Sequence, residues 1–149
     1  MVRRLGEGDD TSAAAALLVR FFQEEGFDTP DDAIRRHVRR MPLIETSGLF
    51  VAEADVDTVG VATVSLEFGI EYGWSAEMGD LYVLPEWRGK NVSLALIGAI
   101  ENFLLEKGAA GYQVTVTPYA QKHHALAGYY AKLGFAGEGR LILFKPLKA

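Results

Sequence analysis

The 149-residue chain contains no cysteine, which removes thiol nucleophiles, cysteinyl acyl-enzymes, disulfide scaffolds and Cys-ligated metal sites from its chemistry. Proline is scarce at 5 residues, while 49% of the chain is hydrophobic. Global disorder is therefore excluded, and there is enough apolar material for one packed core. Positive charge is in deficit, with 15 Lys and Arg against 20 Asp and Glu and a net charge of -5. That balance lacks the broad basic footprint of a nucleic-acid binder and suits cationic or small neutral partners. No run approaches the roughly 20 consecutive apolar residues of a membrane span, and no apolar stretch follows Arg3 and Arg4 as a secretion signal would require. The expectation is one cytoplasmic domain over residues 1–149, with neither a nucleic-acid nor a membrane partner.

Apolar residues recur at helical spacing over residues 11–25 (Ala14, Leu17, Leu18, Phe21, Phe22), with Thr11 or Ser12 as cap and Gly26 as stop. A second helix starts after Thr29, with Pro30 at its first position, and runs through Ile34 and Val38 towards Pro42. His37 and the arginines around it read as its solvated face. From Gly48 the period falls to two: residues 49–54 and 59–66 form a hairpin, and a third strand covers residues 76–83 after a loop at 69–74. An apolar helix over residues 92–105, apolar on more than one face, belongs against a sheet. A strand at 112–117, a helix at 120–133 and a last strand near Leu141-Ile142-Leu143-Phe144 complete the order α, α, β, β, β, α, β, α, β. This order of five strands and four helices predicts a mixed α/β (α+β) domain.

The strand, turn and helix at residues 81–97 would offer an anion free backbone N–H groups and the positive end of a helix dipole. Arg88 and Lys90 add charge there, and Gly89 lets a ligand approach the main chain. Any βα turn is small and polar, so this feature alone is compatible with a plain connection.

Two stretches carry a resemblance. Leu81-Tyr82-Val83-Leu84-Pro85-Glu86-Trp87-Arg88-Gly89-Lys90-Asn91-Val92-Ser93-Leu94-Ala95-Leu96 resembles the acetyl-CoA-binding motif, Arg/Gln-x-x-Gly-x-Gly/Ala, of the GNAT superfamily of N-acetyltransferases. Ala127-Gly128-Tyr129-Tyr130-Ala131-Lys132-Leu133-Gly134-Phe135 resembles the second signature of that superfamily, a tyrosine-bearing helix ending in Lys-Leu-Gly-Phe. The resemblance implies a single α/β (α+β) domain with a mixed central sheet of about six to seven strands flanked by about four helices. The resemblance implies that backbone groups of Leu81, Tyr82 and Val83 pair with the pantetheine arm of acetyl-CoA, with a Val83 N–H the choice for oxyanion stabilisation. It also implies that amides of Arg88, Gly89, Lys90, Asn91, Val92 and Ser93 hold the pyrophosphate. Asn91 stands where the family prefers glycine, Ser93 where it prefers glycine or alanine, and His123 where many members place an asparagine near the cofactor. Asparagine is tolerant of positive φ, which lets Asn91 keep the turn.

Amide formation from an amine and a thioester needs a proton acceptor for the amine and a donor for the departing thiolate. The resemblance implies Tyr130 as the general acid and Glu77 as the general base, directly or through water. A tyrosine at this position can also be a packed core aromatic, and a glutamate at a strand start can simply face solvent. Strict alternation would put Glu77, Gly79, Leu81 and Val83 on one face of their strand. Glu67, Glu71, Tyr72, Trp74 and Asp80, around the third strand, combine acidic and aromatic side chains suited to an ammonium group on an apolar or sugar body. His123 and His124 are adjacent and have no third ligand at suitable spacing, so no metal is expected.

These readings converge on acetyl transfer from acetyl-CoA to a primary amine of a small cationic molecule (aminoglycoside, polyamine or amino-acid-like) by direct attack in a ternary complex. The alternatives are a protein or peptide N-acetyltransferase and a non-catalytic acyl-CoA-binding module. A homodimer built on the last strands is a further expectation, on which the exposure of Phe144 and Leu147 bears.

Overall fold

A computed structural model describes residues 1–147. The chain divides into two compact units, Met1–Thr115 and Val116–Ala149. The first unit holds strands β1 (Val2–Arg4), β2 (Ser47–Ala54), β3 (Asp57–Gly69), β4 (Gly73–Val83) and β5 (Tyr112–Val114), with helices α1 (Ser12–Glu25), α2 (Asp31–Arg40) and α3 (Val92–Glu106). The second holds α4 (Pro118–His124) and α5 (Leu126–Lys132).

The sheet runs in the order β1-β2-β3-β4-β5. Its first four strands are antiparallel neighbours, and β5 joins β4 in parallel after the α3 crossover. Alternation along the strands builds two cores. Leu49, Val51, Val61 and Tyr82 cluster with Leu17, Leu18, Ile34 and Val38 of α1 and α2. On the opposite face Phe50 meets Phe103 of α3 edge-on at 5.8 Å, and Leu96 and Ile100 of α3 are wholly buried, each stabilising the fold by about 2 kcal/mol. At Gly60 a Cβ would stand 3.1 Å from both Leu96 and Val92 side chains, so the missing side chain lets the start of α3 lie close to the sheet.

The mixed α/β class is as expected, with five strands and five helices among the described residues in place of about six to seven and four. β1 is an addition, held by its register with β2 rather than by a pattern of its own. Pro30 caps α2 with φ -64 and ψ 146 instead of occupying its first turn. The expected helix over 120–133 is broken in two by Ala125, at φ 49. The loop expected at 69–74 shrinks to residues 70–72, because Phe68 pairs with Trp74 and Gly69 with Gly73. Leu141, Ile142, Leu143 and Phe144 form no strand, since no partner among the described residues pairs with them. Phe144 is 89% and Leu147 90% exposed.

Candidate active site

The site begins at an irregularity in β4. Thr63 is opposite Asp80 and Val64 is opposite Met78, so Gly79 is an extra residue, a β-bulge. A bulge inverts the alternation beyond it. Glu77 therefore does not share a face with Leu81 and Val83, as unbroken alternation had suggested; it shares one with Asp80 and Tyr82. Glu67, opposite Ser75, falls on that same face through β3, while Trp74, opposite Phe68, falls on the other. Phe68 and Trp74 meet edge-on at 5.2 Å. Glu71 and Tyr72 lie in the exposed turn between the strands.

Burial grades along this acidic row, from exposed Glu67 to half-buried Glu77 and Asp80. Glu77 Oε2 accepts hydrogen bonds from Gln113 Nε2 at 3.0 Å and Thr115 Oγ1 at 3.5 Å. Asp80 Oδ2 accepts one from buried Thr63 Oγ1 at 2.6 Å. Burial pushes the Asp80 carboxyl above the usual carboxylate range; the Thr63 bond opposes that rise and the Glu77 charge adds to it.

Beyond the bulge one edge of β4 is open, because β5 pairs only with residues 76–78. Leu84 N–H donates to Val59 O at 2.9 Å. By alternation, Tyr82 backbone groups face β3 and those of Leu81 and Val83 face the open edge. Tyr82 is buried, and its hydroxyl donates to Glu24 Oε1 at 2.8 Å. Burial, assisted by this bond, pushes the hydroxyl up to about 12.

A short 3-10 turn, Pro85–Trp87, leads from β4 to α3. Gly89 has φ 75 and Asn91 φ 64. No heavy atom outside the neighbouring residues lies within 4 Å of where a Cβ on Gly89 would stand. The α3 ladder begins where Ala95 N–H meets Asn91 O at 3.1 Å; first-turn amides ahead of that point have no acceptor within a helix. This loop into a 15-residue helix fits a phosphate group, with Gly89, Lys90, Asn91, Val92 and Ser93 around its mouth. The two cations expected to line it are both engaged locally: Lys90 Nζ is 4.9 Å from the centre of the Trp87 ring, and Arg88 Nε donates to Val83 O at 2.9 Å.

In the second unit, α5 ends in a Schellman cap. Phe135 N–H bonds Tyr130 O at 3.1 Å, Gly134 N–H bonds Ala131 O at 3.1 Å, and Gly134 has φ 98. Phe135 packs edge-on against the Tyr130 ring at 5.2 Å. Tyr130 is 6% exposed, and burial pushes its hydroxyl up to about 12. His123 stacks on Tyr119 at 4.1 Å, with its Nδ1 3.1 Å from Tyr119 O. Among the described residues no group of three or more His, Asp or Glu is arranged to hold a metal, and no helix is long and apolar enough to cross a membrane.

Residues 45–136, more than half of the chain, match the family model of the acetyltransferase (GNAT) domain. The chain belongs to the GNAT acetyltransferase family. Among solved structures this GNAT chain is similar to integron cassette protein HFX_CASS3 from the mobile metagenome of Cole Harbour Salt Marsh, with TM-score 0.81, 25% identity, and coverage of 99% of this chain and 91% of that one. It shares its fold with aminoglycoside acetyltransferase meta-AAC0020 from an uncultured soil metagenomic sample, solved with trehalose (TM-score 0.78, 24% identity, coverage 99% and 96%). It also shares it with AAC(6')-Iy in complex with a bisubstrate analog, CoA-S-monomethyl-acetylneamine (TM-score 0.78, 21% identity, coverage 99% and 98%). No curated protein matches in sequence.

Two residues of this GNAT site escaped the sequence reading. Thr63 left a signal, a lone hydroxyl in the apolar run of Val61, Ala62 and Val64. Glu24 left none, because its partner Tyr82 is 58 residues away.

Proposed function

We propose that this chain is an acetyl-CoA-dependent N-acetyltransferase, acting on a primary amine of a small cationic molecule by direct attack in a ternary complex. The Gly79 bulge carries the reading. It gathers Glu67, Glu77 and Asp80 on one face of the sheet, and the open edge of the same strand leads to the phosphate-fitting turn. Carboxylates graded from solvent to half-buried are a receptor for an ammonium group, whose charge is favoured beside them. Aminoglycosides, polyamines and amino-acid-like amines share that chemistry.

Acetyl-CoA supplies a thioester open to amine attack. The chain aligns it: amides from Gly89 to Ser93 hold the pyrophosphate, and the outward backbone groups of Leu81 hold the pantetheine arm, the Val83 carbonyl being taken by Arg88. Glu77 accepts the proton of the attacking amine, directly or through water, with its carboxylate steadied by Gln113 and Thr115. The Val83 N–H stabilises the oxyanion. As the C–N bond forms and the C–S bond breaks, Tyr130 gives its proton to the thiolate.

Calorimetric titration of acetyl-CoA, followed by thiol-release assays with aminoglycosides and polyamines, tests this reading. Micromolar binding and amine-dependent thiol release are expected. No binding at millimolar acetyl-CoA would reject it.

A further inference from the structure

Arg88 opens the phosphate-binding motif, yet its guanidinium is engaged by three groups outside the turn. Nε donates to Val83 O at 2.9 Å, a terminal nitrogen lies 3.7 Å from Glu24 Oε2, and the guanidinium carbon sits 5.4 Å from the centre of the Tyr82 ring. Val83 O faces the open edge of β4, so the Arg88 bond caps a carbonyl that no strand satisfies and ties residue 88 back to the end of the strand. Between them the chain is drawn tight by Trp87 N–H to Leu84 O at 2.9 Å and Arg88 N–H to Pro85 O at 3.2 Å.

Glu24, at the end of α1, is held from two further sides. Its Oε1 accepts the Tyr82 hydroxyl at 2.8 Å and lies 3.6 Å from Arg20 Nε. Tyr82 in turn packs against Phe21 of α1, with ring centres 5.4 Å apart. Helix, strand and turn thus meet at one carboxylate. Directly after Arg88 come Gly89 and Asn91, both in the left-handed region; their peptide planes aim the amides, and the position of Arg88 sets where that aim begins.

We propose that Glu24 and Arg88 are positioning residues that hold the β4–α3 turn in its phosphate-receiving shape, so that α1 helps set the affinity for CoA without touching it. The inference rests on the acetyl-CoA reading above. Lysine at 88 retains the charge but has no planar fork able to meet Val83 O and Glu24 together. Glutamine at 24 retains an acceptor for Tyr82 but removes the charge facing Arg88.

The test uses the full chain with Arg88→Lys, Glu24→Gln and the double variant, and reads hydrogen exchange over residues 84–94 without ligand, calorimetric CoA affinity and melting temperature. Each single variant should speed exchange in that segment and weaken CoA binding about tenfold, with melting temperature nearly unchanged. The double variant should bind no worse than Arg88→Lys alone, because both changes open one clamp. Unchanged exchange would overturn the proposal, as would faster exchange with CoA affinity intact, or additive losses in the double variant. Failure of the unaltered chain to bind CoA would instead reject the acetyl-CoA reading, and the positioning role with it; the exchange data would still report whether the clamp exists.

Discussion

The turn after β4 and the end of α5 both carry GNAT signatures, but they are built differently. At the end of α5 the cap bonds are local: Gly134 and Phe135 return to Ala131 and Tyr130 within five residues, and Tyr130 meets Phe135 in an apolar contact. The turn after β4 depends on distant residues, since Arg88 answers to Glu24 and Glu24 to Tyr82. A short motif can therefore be a locally bonded cap or one corner of a long-range network. The two respond differently to substitution.

The largest expected effect separates chemistry from structure within the α5 signature. Backbone groups make the cap and the ring makes the packing, so Tyr130→Phe removes only the hydroxyl. Turnover should fall about 10- to 1000-fold, the usual size of a general-acid effect, with CoA affinity and melting temperature little changed. Steady-state kinetics beside calorimetry check this, and unaltered turnover would take Tyr130 out of the mechanism.

Gly134→Ala probes the other half of the same signature. At φ 98 a Cβ is strained even though the space around it is open, so the substitution should cost about 1–2 kcal/mol. Because the cap is local, the loss should appear as faster hydrogen exchange in α5 while exchange across the β4–α3 turn stays as it was. Equal loosening of both regions would erase the contrast between them.

This division also accounts for what could be read in advance. Periodicity located α1, the β2–β3 hairpin, β4 and α3, because each buries a face that its own residues define. The motif residues of the turn and of α5 were legible through the family resemblance, because each signature is contiguous in the sequence. The bulge at Gly79 was not: it arises where β3 and β4 pair, and until it is known Glu77 and Asp80 lie on opposite faces. β1 is set by register with β2, Ala125 breaks a helix that its neighbours favour, and the apolar run at residues 141–144 resembles a strand in composition but has no pairing partner among the described residues. Glu24 reaches the site only through the packing of α1 on the sheet.

Asp80, on the strand that leads into the turn, should reveal itself through pH. Its folded-state carboxyl titrates above the ordinary carboxylate range because burial disfavours its charge. Such a group binds protons more readily folded than unfolded, so stability falls as pH rises from the unfolded value, near 3.8, through the raised folded one. Asp80→Asn should therefore melt higher than the parent at pH 7, with the difference closing as the pH approaches 4. Glu77→Gln removes a like charge and should recover a smaller part of the same gain. Parallel melting curves for parent and Asp80→Asn across this range would mean that the Asp80 carboxyl carries no burial penalty.

The smallest effect asks what Asn91 contributes where the family prefers glycine. Asn91 holds φ 64 and ψ 16 directly before α3, and its side chain makes no cap bond. Glycine relieves the left-handed cost but gives the unfolded chain more freedom; the two terms are each about 1 kcal/mol and opposed. Asn91→Gly should thus leave the melting temperature within a few degrees of the parent and keep or tighten CoA binding. Alanine lacks both the freedom of glycine and the tolerance of asparagine for this region, so Asn91→Ala should lose about 1 kcal/mol and bind CoA more weakly. If alanine matched asparagine in both measurements, the left-handed joint at residue 91 would not govern the aim of the amides. A loss of affinity in Asn91→Gly alone would instead show that the asparagine side chain itself contacts the cofactor.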